Sequence, residues 1–321
     1  MPNLNRLGIL DDYQGVTLAL GPWDRLPKTL GIQVFRDTIT DQEALAARLA
    51  PFDALLIMRE RTPFPRALIE RLPNLRLLIT TGARNRSVDL DACAERGITV
   101  SGTPSHGHPT VDLTWGLILS LLRRIPEQER GLREGRWQVA LGNALEGRTL
   151  GVMGLGNLGS RVARVGQAFG MRTIAWSQNL TEERAAAAGA TRVDKPTLLR
   201  EADVLTLHLI LSERSRGILG AAELAQMQPG AVVVNTSRGP LIDQAALIAA
   251  LKEGRIAGAG IDVFDQEPLP PDHPILAAPN TVLTPHLGYV TEENYRTYFA
   301  GAVEAVQGYL DGRPVRELRP G

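Results

Sequence analysis

The sequence predicts an α/β protein made of doubly wound parallel sheets in two domains. Short apolar runs alternate with amphipathic stretches through the first hundred residues, and the same rhythm restarts near Arg148. A glycine-rich turn, VMGLGNLGS (Val152–Ser160), grows directly out of one apolar run. At 321 residues the chain is long enough for two cores of ordinary size. Strands that alternate with helices imply a parallel sheet covered on both faces.

Taken in order, Arg6–Leu10, Gln33–Phe35, Ala54–Met58 and Leu75–Thr81 read as strands. Asp41–Leu49 and Pro65–Leu72 read as helices, the first with Thr40 as its expected N-cap and Glu43 completing a capping box. Leu90–Gly97 is expected to be a short helix ended by Gly97, before a strand at Ile98–Ser101. Gly102–Pro109 is punctuated by glycine and proline, which predicts a surface loop or domain crossing and gives His106 and His108 hinge or surface roles. A helix from about Thr110 to Arg124 should stop before Pro126, and its excess of apolar residues predicts burial on more than one side. Further strands are expected at Thr149–Met153, Thr173–Trp176, Val204–His208, Val232–Asn235, Ala259–Asp262 and Val282–Thr284. Thr291–Leu310 reads as a helix that packs back on the first domain.

Composition narrows the function classes. Hydrophobic residues at 44% and charged residues at 22% describe an ordinary globular chain. A net charge of zero argues against a broad basic face, so no nucleic acid partner is expected. The lone Cys93 excludes an internal disulfide framework and a cysteine zinc site; it reads as a small buried apolar residue, and no metal is expected. No signal-like apolar run opens the chain, and Leu113–Leu122 is about half a membrane span. A soluble, cytoplasmic protein without a membrane partner is expected.

Gly154, Gly156 and Gly159 carry the G-x-G-x-x-G spacing after a strand and at the start of a helix, with Asn157 and Leu158 between the last two. That context points to a dinucleotide, with the pyrophosphate on helix N–H groups. An acid usually ends the next strand and takes the ribose hydroxyl. Here Trp176 is followed by the neutral Ser177, Gln178 and Asn179, with no acid before Glu182 and no arginine at the strand tip, so NAD and NADP both stay open.

Three later residues complete a chemistry. Arg238, Glu267 and His286 each follow an expected strand, at the end where open α/β sheets bind ligands. An arginine can grip a carboxylate or carbonyl through paired hydrogen bonds, an imidazole can move a proton near neutral pH, and a carboxylate can hold the imidazole. Singly, each has a plain reading as a turn cap, a solvated charge or a packed strand end. Together at successive strand ends of one sheet, they suit hydride and proton transfer on an α-keto or α-hydroxy acid.

The stretches VMGLGNLGS, ADVLTLHLILS, NTSRGPLIDQAAL, GAGIDVFDQEPLP and NTVLTPHLGYVT resemble the D-isomer-specific 2-hydroxyacid dehydrogenases. The resemblance implies two Rossmann-like domains, with a cofactor domain at about 102–289 inserted in a substrate domain at 1–101 and 290–321. It implies that Arg238 binds substrate, Glu267 supports the histidine and His286 is the acid/base. Asp262 matches a residue that commonly binds the nicotinamide carboxamide, Thr236 stands where backbone groups help it, and His208 reads as structural. In the first domain a glycine-rich loop usually takes the substrate carboxylate on backbone N–H groups. Here that loop holds Gly82 and Ala83, with Arg84 where a second glycine is usual, and Arg84 and Arg59 are the candidates for substrate recognition. Glu267 argues against a formate dehydrogenase, where glutamine partners the histidine, and the end at Gly321 leaves out the regulatory extension of long phosphoglycerate dehydrogenases. Reduction of a small 2-keto acid such as glyoxylate or hydroxypyruvate by a homodimer is implied, with Thr110–Arg124 as the dimer-forming segment. The alternative is an NAD(H)-sensing regulatory protein on the same fold.

Overall fold

Every ladder between the strands of this computed structural model, which describes residues 3–320, is parallel. The chain divides into two compact units, Met1–His106 with Val290–Gly321, and Gly107–Tyr289. The first unit holds β1 (Arg6–Ile9), β2 (Gly31–Val34), β3 (Ala54–Ile57), β4 (Leu77–Thr80) and β5 (Thr99–Gly102), in the order β2-β1-β3-β4-β5. The second holds β6 (Thr149–Met153), β7 (Arg172–Trp176), β8 (Thr191–Arg192), β9 (Val204–Leu207), β10 (Val232–Asn235), β11 (Gly258–Ile261) and β12 (Thr281–Leu283). Their order, β12-β11-β10-β9-β6-β7-β8, reverses direction at β6. Both sheets are doubly wound, an architecture that binds ligands beyond the strands' carboxyl ends at the point where strand order reverses.

Alternation along the strands builds two cores in the second unit, one on each face of its sheet. Val232 and Val234 of β10 enter one core while Val233 enters the other; Val204 and Leu205 of β9 part in the same way. This is the period of two of a strand buried on both sides. The helix His108–Leu122 closes one face and sits close because β11 is glycine-rich: a Cβ on Gly260 would lie 3.1 Å from Leu117 Cβ. In the first unit the helix Glu292–Leu310 packs on β4 and β5, burying Tyr298, Phe299, Val303 and Val306. Cys93 is buried, and burial pushes its thiol up to about 12, so it behaves as a small apolar residue. No helix among the described residues is long and apolar enough to cross a membrane.

Several expected boundaries shift. The helix at 42–49 is capped by Asp41, whose carboxylate accepts from the Ala44 amide at 2.8 Å, and not by Thr40. The long helix begins at His108, because Pro109 sits in a first turn where no N–H is needed. Pro126 does not end the helical region for the same reason. Arg124 turns left-handed (φ 52°) and a new helix, Ile125–Arg133, starts with Pro126 in its first turn. The apolar excess of His108–Leu122 is used inside its own unit, where Trp115, Leu117 and Ile118 are buried.

Leu205 is wholly buried in β9, whereas Ile210 in the loop beyond it is 69% exposed. Leu205→Ala should destabilise by about 2–5 kcal/mol through the cavity it leaves, and Ile210→Ala by about 0.5 kcal/mol or less. Thermal unfolding of the two variants checks this; equal losses in Tm would contradict the assignment of β9 to the core.

Candidate active site

The glycine turn leaves β6 through three glycines with three different jobs. Gly154 takes φ 104°, and a Cβ there would lie 2.7 Å from the carbonyl carbon of His208. Gly159 lets the helix Asn157–Ala168 touch the turn, since its Cβ would lie 2.1 Å from the Gly154 oxygen. Gly156 meets nothing within 4 Å, which leaves the turn open to an incoming group. The helix starts on Gly156 without a side-chain cap, so the N–H groups of its first turn are available to an anion. Asn157 is exposed and Leu158 half-buried at this helix start. A pyrophosphate fits these features. The Gly154 amide is tied to the Trp176 carbonyl at 2.9 Å, which sets the turn beside the end of β7, where Ser177 is half-buried and Gln178 exposed.

The ends of β10, β11 and β12 bring the other groups together. Asn235 folds the chain after β10 on itself: its Nδ2 donates to the Arg238 carbonyl at 2.9 Å and its Oδ1 accepts from the Ser237 amide at 3.0 Å. Gly239 then lies so close to Phe264 that a Cβ would be 2.2 Å from its carbonyl carbon. This packing brings the Arg238 charge to bear on Glu267. The Thr236 hydroxyl is turned inward and shares a 2.8 Å hydrogen bond with Thr114, which leaves its backbone as the part a ligand could use.

Glu267 Oε1 accepts from the Phe264 amide at 2.8 Å, and Oε2 lies 2.6 Å from Nδ1 of His286. Burial pushes this carboxyl up, but His286, the Phe264 amide and the Arg238 charge outweigh it and hold it below its ordinary range. With Nδ1 so engaged, Nε2 of His286 is left without a partner among the described residues. The ring is held from another side by the edge of Tyr289, 5.5 Å between centroids.

His286 has φ 56°, uncommon for a residue with a side chain. Asp262 over-determines that conformation. Its Oδ1 accepts from the Thr284 hydroxyl at 2.6 Å and the Leu287 amide at 2.7 Å, its Oδ2 from the Gly288 amide at 2.9 Å, and its carbonyl from the His286 amide at 2.8 Å. Thr110 secures the same loop by donating to the Gly288 carbonyl at 2.6 Å. Asp262 is therefore first of all the anchor of the histidine loop. His208 pairs with the Thr206 hydroxyl at 2.9 Å, and burial pushes it down to about 4, so it is neutral near pH 7.

The first-unit candidates gather on loops after β3 and β4. Arg59 has φ 54°; its amide donates to the Thr81 hydroxyl at 2.9 Å and its carbonyl accepts from Asn85 Nδ2 at 2.7 Å. Its guanidinium lies over Gly82, where a Cβ would be 2.0 Å from Nη1, and beside the Tyr298 hydroxyl. Gly82 spends its amide on Thr103, whereas the amides of Ala83 and Arg84 have no partner among the described residues. The exposed Arg84 side chain forms no ion pair among them either. His106 is tied to Asn294 and Thr297, and the His108 ring to Arg161. Among the described residues no cluster of His, Cys, Asp and Glu is placed to hold a metal ion.

Sequence reasoning missed Asn235, Thr284, Thr110 and Thr114. Each is a small polar residue whose role comes from a partner in the fold, and no local pattern marks it.

Residues 115–288 match the model of a family described as D-isomer specific 2-hydroxyacid dehydrogenase, NAD binding domain. A glyoxylate reductase from Aeropyrum pernix is 38% identical over 256 residues, covering 77% of this chain and 76% of that protein. A hydroxypyruvate reductase from Blautia hydrogenotrophica is 30% identical over 291 residues, covering 87% and 89%. The solved structure of a phosphoglycerate oxidoreductase from Vibrio cholerae aligns with a TM-score of 0.91 at 37% identity, covering 96% of this chain and 100% of that one. Likeness of this extent, carried by the same chain segments that form the glycine turn and the histidine loop, shows that the chain belongs to the D-isomer-specific 2-hydroxyacid dehydrogenases, nicotinamide-dependent oxidoreductases acting on CH–OH donors.

Proposed function

We propose that the chain interconverts a small 2-keto acid, of the size of glyoxylate or hydroxypyruvate, and its D-2-hydroxy acid. The observation that carries this reading is the 2.6 Å contact of His286 Nδ1 with Glu267, which aims the chemistry at Nε2. When bound, the nicotinamide supplies or takes the hydride at the substrate's carbon. Its pyrophosphate is assigned to Gly154, Gly156, Asn157, Leu158 and Gly159, its adenosine ribose to Ser177 and Gln178, and its nicotinamide end to the Thr236 backbone and Asp262.

In the direction of reduction, His286 gives its Nε2 proton to the carbonyl oxygen as that oxygen gains negative charge. Glu267 stabilises the imidazolium before transfer and keeps the ring oriented, so the proton leaves from one defined atom. Arg238 stabilises the developing alkoxide and grips the carboxylate. In the first unit, the unpartnered amides of Ala83 and Arg84 beside Gly82, together with the Arg59 guanidinium, form the place for an anionic group. The substrate domain is accordingly assigned to the first unit and the cofactor domain to the second. The Arg238, Glu267 and His286 set suits the NAD(H)-sensing alternative as well, and a measured turnover separates the two.

Wild-type chain should oxidise reduced nicotinamide with glyoxylate or hydroxypyruvate, and His286→Ala should slow turnover about a hundredfold or more. Dinucleotide binding should survive the substitution. Turnover within a fewfold of wild type would take His286 out of the mechanism, and binding without turnover on any 2-keto acid would favour the sensor.

Because Glu267 is held below its ordinary value of 4.5, its pairing stabilises the folded chain above about that pH. That contribution disappears as the pH falls through the folded value. The Tm deficit of Glu267→Gln should therefore be largest near neutrality and shrink below pH 4.5. A deficit independent of pH would mean that the carboxylate's charge contributes nothing.

The homodimer is assigned to the segment just beyond the expected one. Ile125, Leu132, Trp137 and Leu141 are 49%, 60%, 78% and 94% exposed, an apolar surface that a second copy of the chain would cover. Light scattering should give twice the chain mass for wild type and a shift toward the monomer for a Trp137→Asp, Leu141→Asp variant. An unchanged mass in the variant would remove this segment from the interface.

A further inference from the structure

The adenosine end of the proposed cofactor site has a charge balance that was not legible in the sequence. Beyond β7 the chain makes a tight turn, Ser177–Leu180, closed by the Leu180 amide on the Ser177 carbonyl at 3.1 Å, with Gln178 and Asn179 exposed at its tip. None of these four residues is acidic. The two carboxylates that follow are already engaged. Glu182 lies 4.0 Å from Arg192, and Glu183 accepts from its own amide and the Thr181 hydroxyl.

The arginine absent from the strand tip is supplied from the next helix, Glu182–Ala187. Arg184 reaches back so that Nη1 donates to the Asn179 carbonyl at 3.4 Å. It is exposed and has no carboxylate partner among the described residues, so one uncompensated guanidinium stands at the turn. Arg192 flanks the other side, donating to the Leu180 carbonyl at 2.8 Å, but its charge is shared with Glu182.

A ribose 2′-hydroxyl is neutral and is best held by a carboxylate acceptor, whereas a 2′-phosphate is repelled by a carboxylate and held by a guanidinium. We infer that the chain selects NADP(H) over NAD(H), with Arg184 pairing with the 2′-phosphate and Ser177, Gln178 and Asn179 offering neutral hydrogen bonds. The inference rests on the nicotinamide-dependent reading above. Arg184 is here a specificity residue, remote from the hydride and from the histidine loop in sequence and in role.

Titrating the full chain with NADPH and with NADH, followed by nicotinamide fluorescence without any keto acid, tests it. NADPH should bind about tenfold tighter or more, the worth of one charge-assisted hydrogen bond. Arg184→Ala should remove most of that preference by weakening NADPH while leaving NADH unchanged, and Arg184→Lys should restore part of it. Added salt should narrow the preference, since the site is exposed. Gln178→Asp, which places a carboxylate at the turn tip, should turn the preference toward NADH. Equal binding of the two, tighter NADH, or a preference indifferent to Arg184 would overturn the inference while leaving a nicotinamide enzyme intact. Binding of neither dinucleotide would instead remove the reading on which it rests.

Discussion

The buried carboxylate of Asp262 is the constraint on which the active site depends. A left-handed backbone at a residue with a side chain costs on the order of 1–3 kcal/mol, and His286 is held there. The conformation persists because Asp262 takes three donors from the loop 284–288 on its carboxylate and the His286 amide on its carbonyl. Each is short, and those on the carboxylate are charge-assisted, the stronger kind. On the backbone so fixed, the imidazole is held by Glu267 at Nδ1. The same arrangement leaves Nε2 as the ring nitrogen without a partner among the described residues.

The sheet decides where this happens. β10, β11 and β12 are adjacent and parallel, so the loops carrying Arg238, Glu267 and His286 leave from the same edge. Parallel strands buried on both faces need apolar side chains along their whole length, which pushes polar chemistry to the strand ends. Glycine gives the packing its tolerance at two close approaches: Gly260 under the helix His108–Leu122, and Gly239 against Phe264. The same helix that covers the core also holds the loops, through Thr114 to Thr236 and Thr110 to Gly288. Core packing and site geometry are thus parts of one arrangement.

What was legible in the sequence was what is local. The glycine spacing announces itself because all three glycines act within six residues of one turn, and the strands announce themselves by apolar runs. That Arg238, Glu267 and His286 come together could be read because each follows a strand of one sheet. The clamps could not be read: Thr110 and Gly288 are far apart in sequence, and a threonine at the head of a helix has many ordinary uses. Proline misled in one place, since Pro126 reads as a stop and instead opens a helix after the left-handed Arg124. Arg184 was hidden for a related reason. The turn Ser177–Leu180 holds no arginine of its own, and Arg184 reaches it from the helix that follows.

Two carboxyl groups near one histidine could have played either role, and their surroundings separate them. Asp262 is fully buried, and burial holds its carboxyl above the ordinary range in spite of its donors and the nearby imidazole. Between its ordinary value of 3.8 and that raised one, it makes the fold less stable as the pH rises. Glu267 is displaced the other way, so it stays ionised to lower pH than an ordinary glutamate. When environments push two like groups apart, their tasks divide accordingly. Glu267 keeps a charged acceptor at Nδ1 of His286, and Asp262 supplies acceptors for a loop. Exchanging the tasks would put the more stable anion away from the histidine and leave the histidine with the acid more readily neutralised. The pairing at Nδ1 therefore follows from burial as much as from distance.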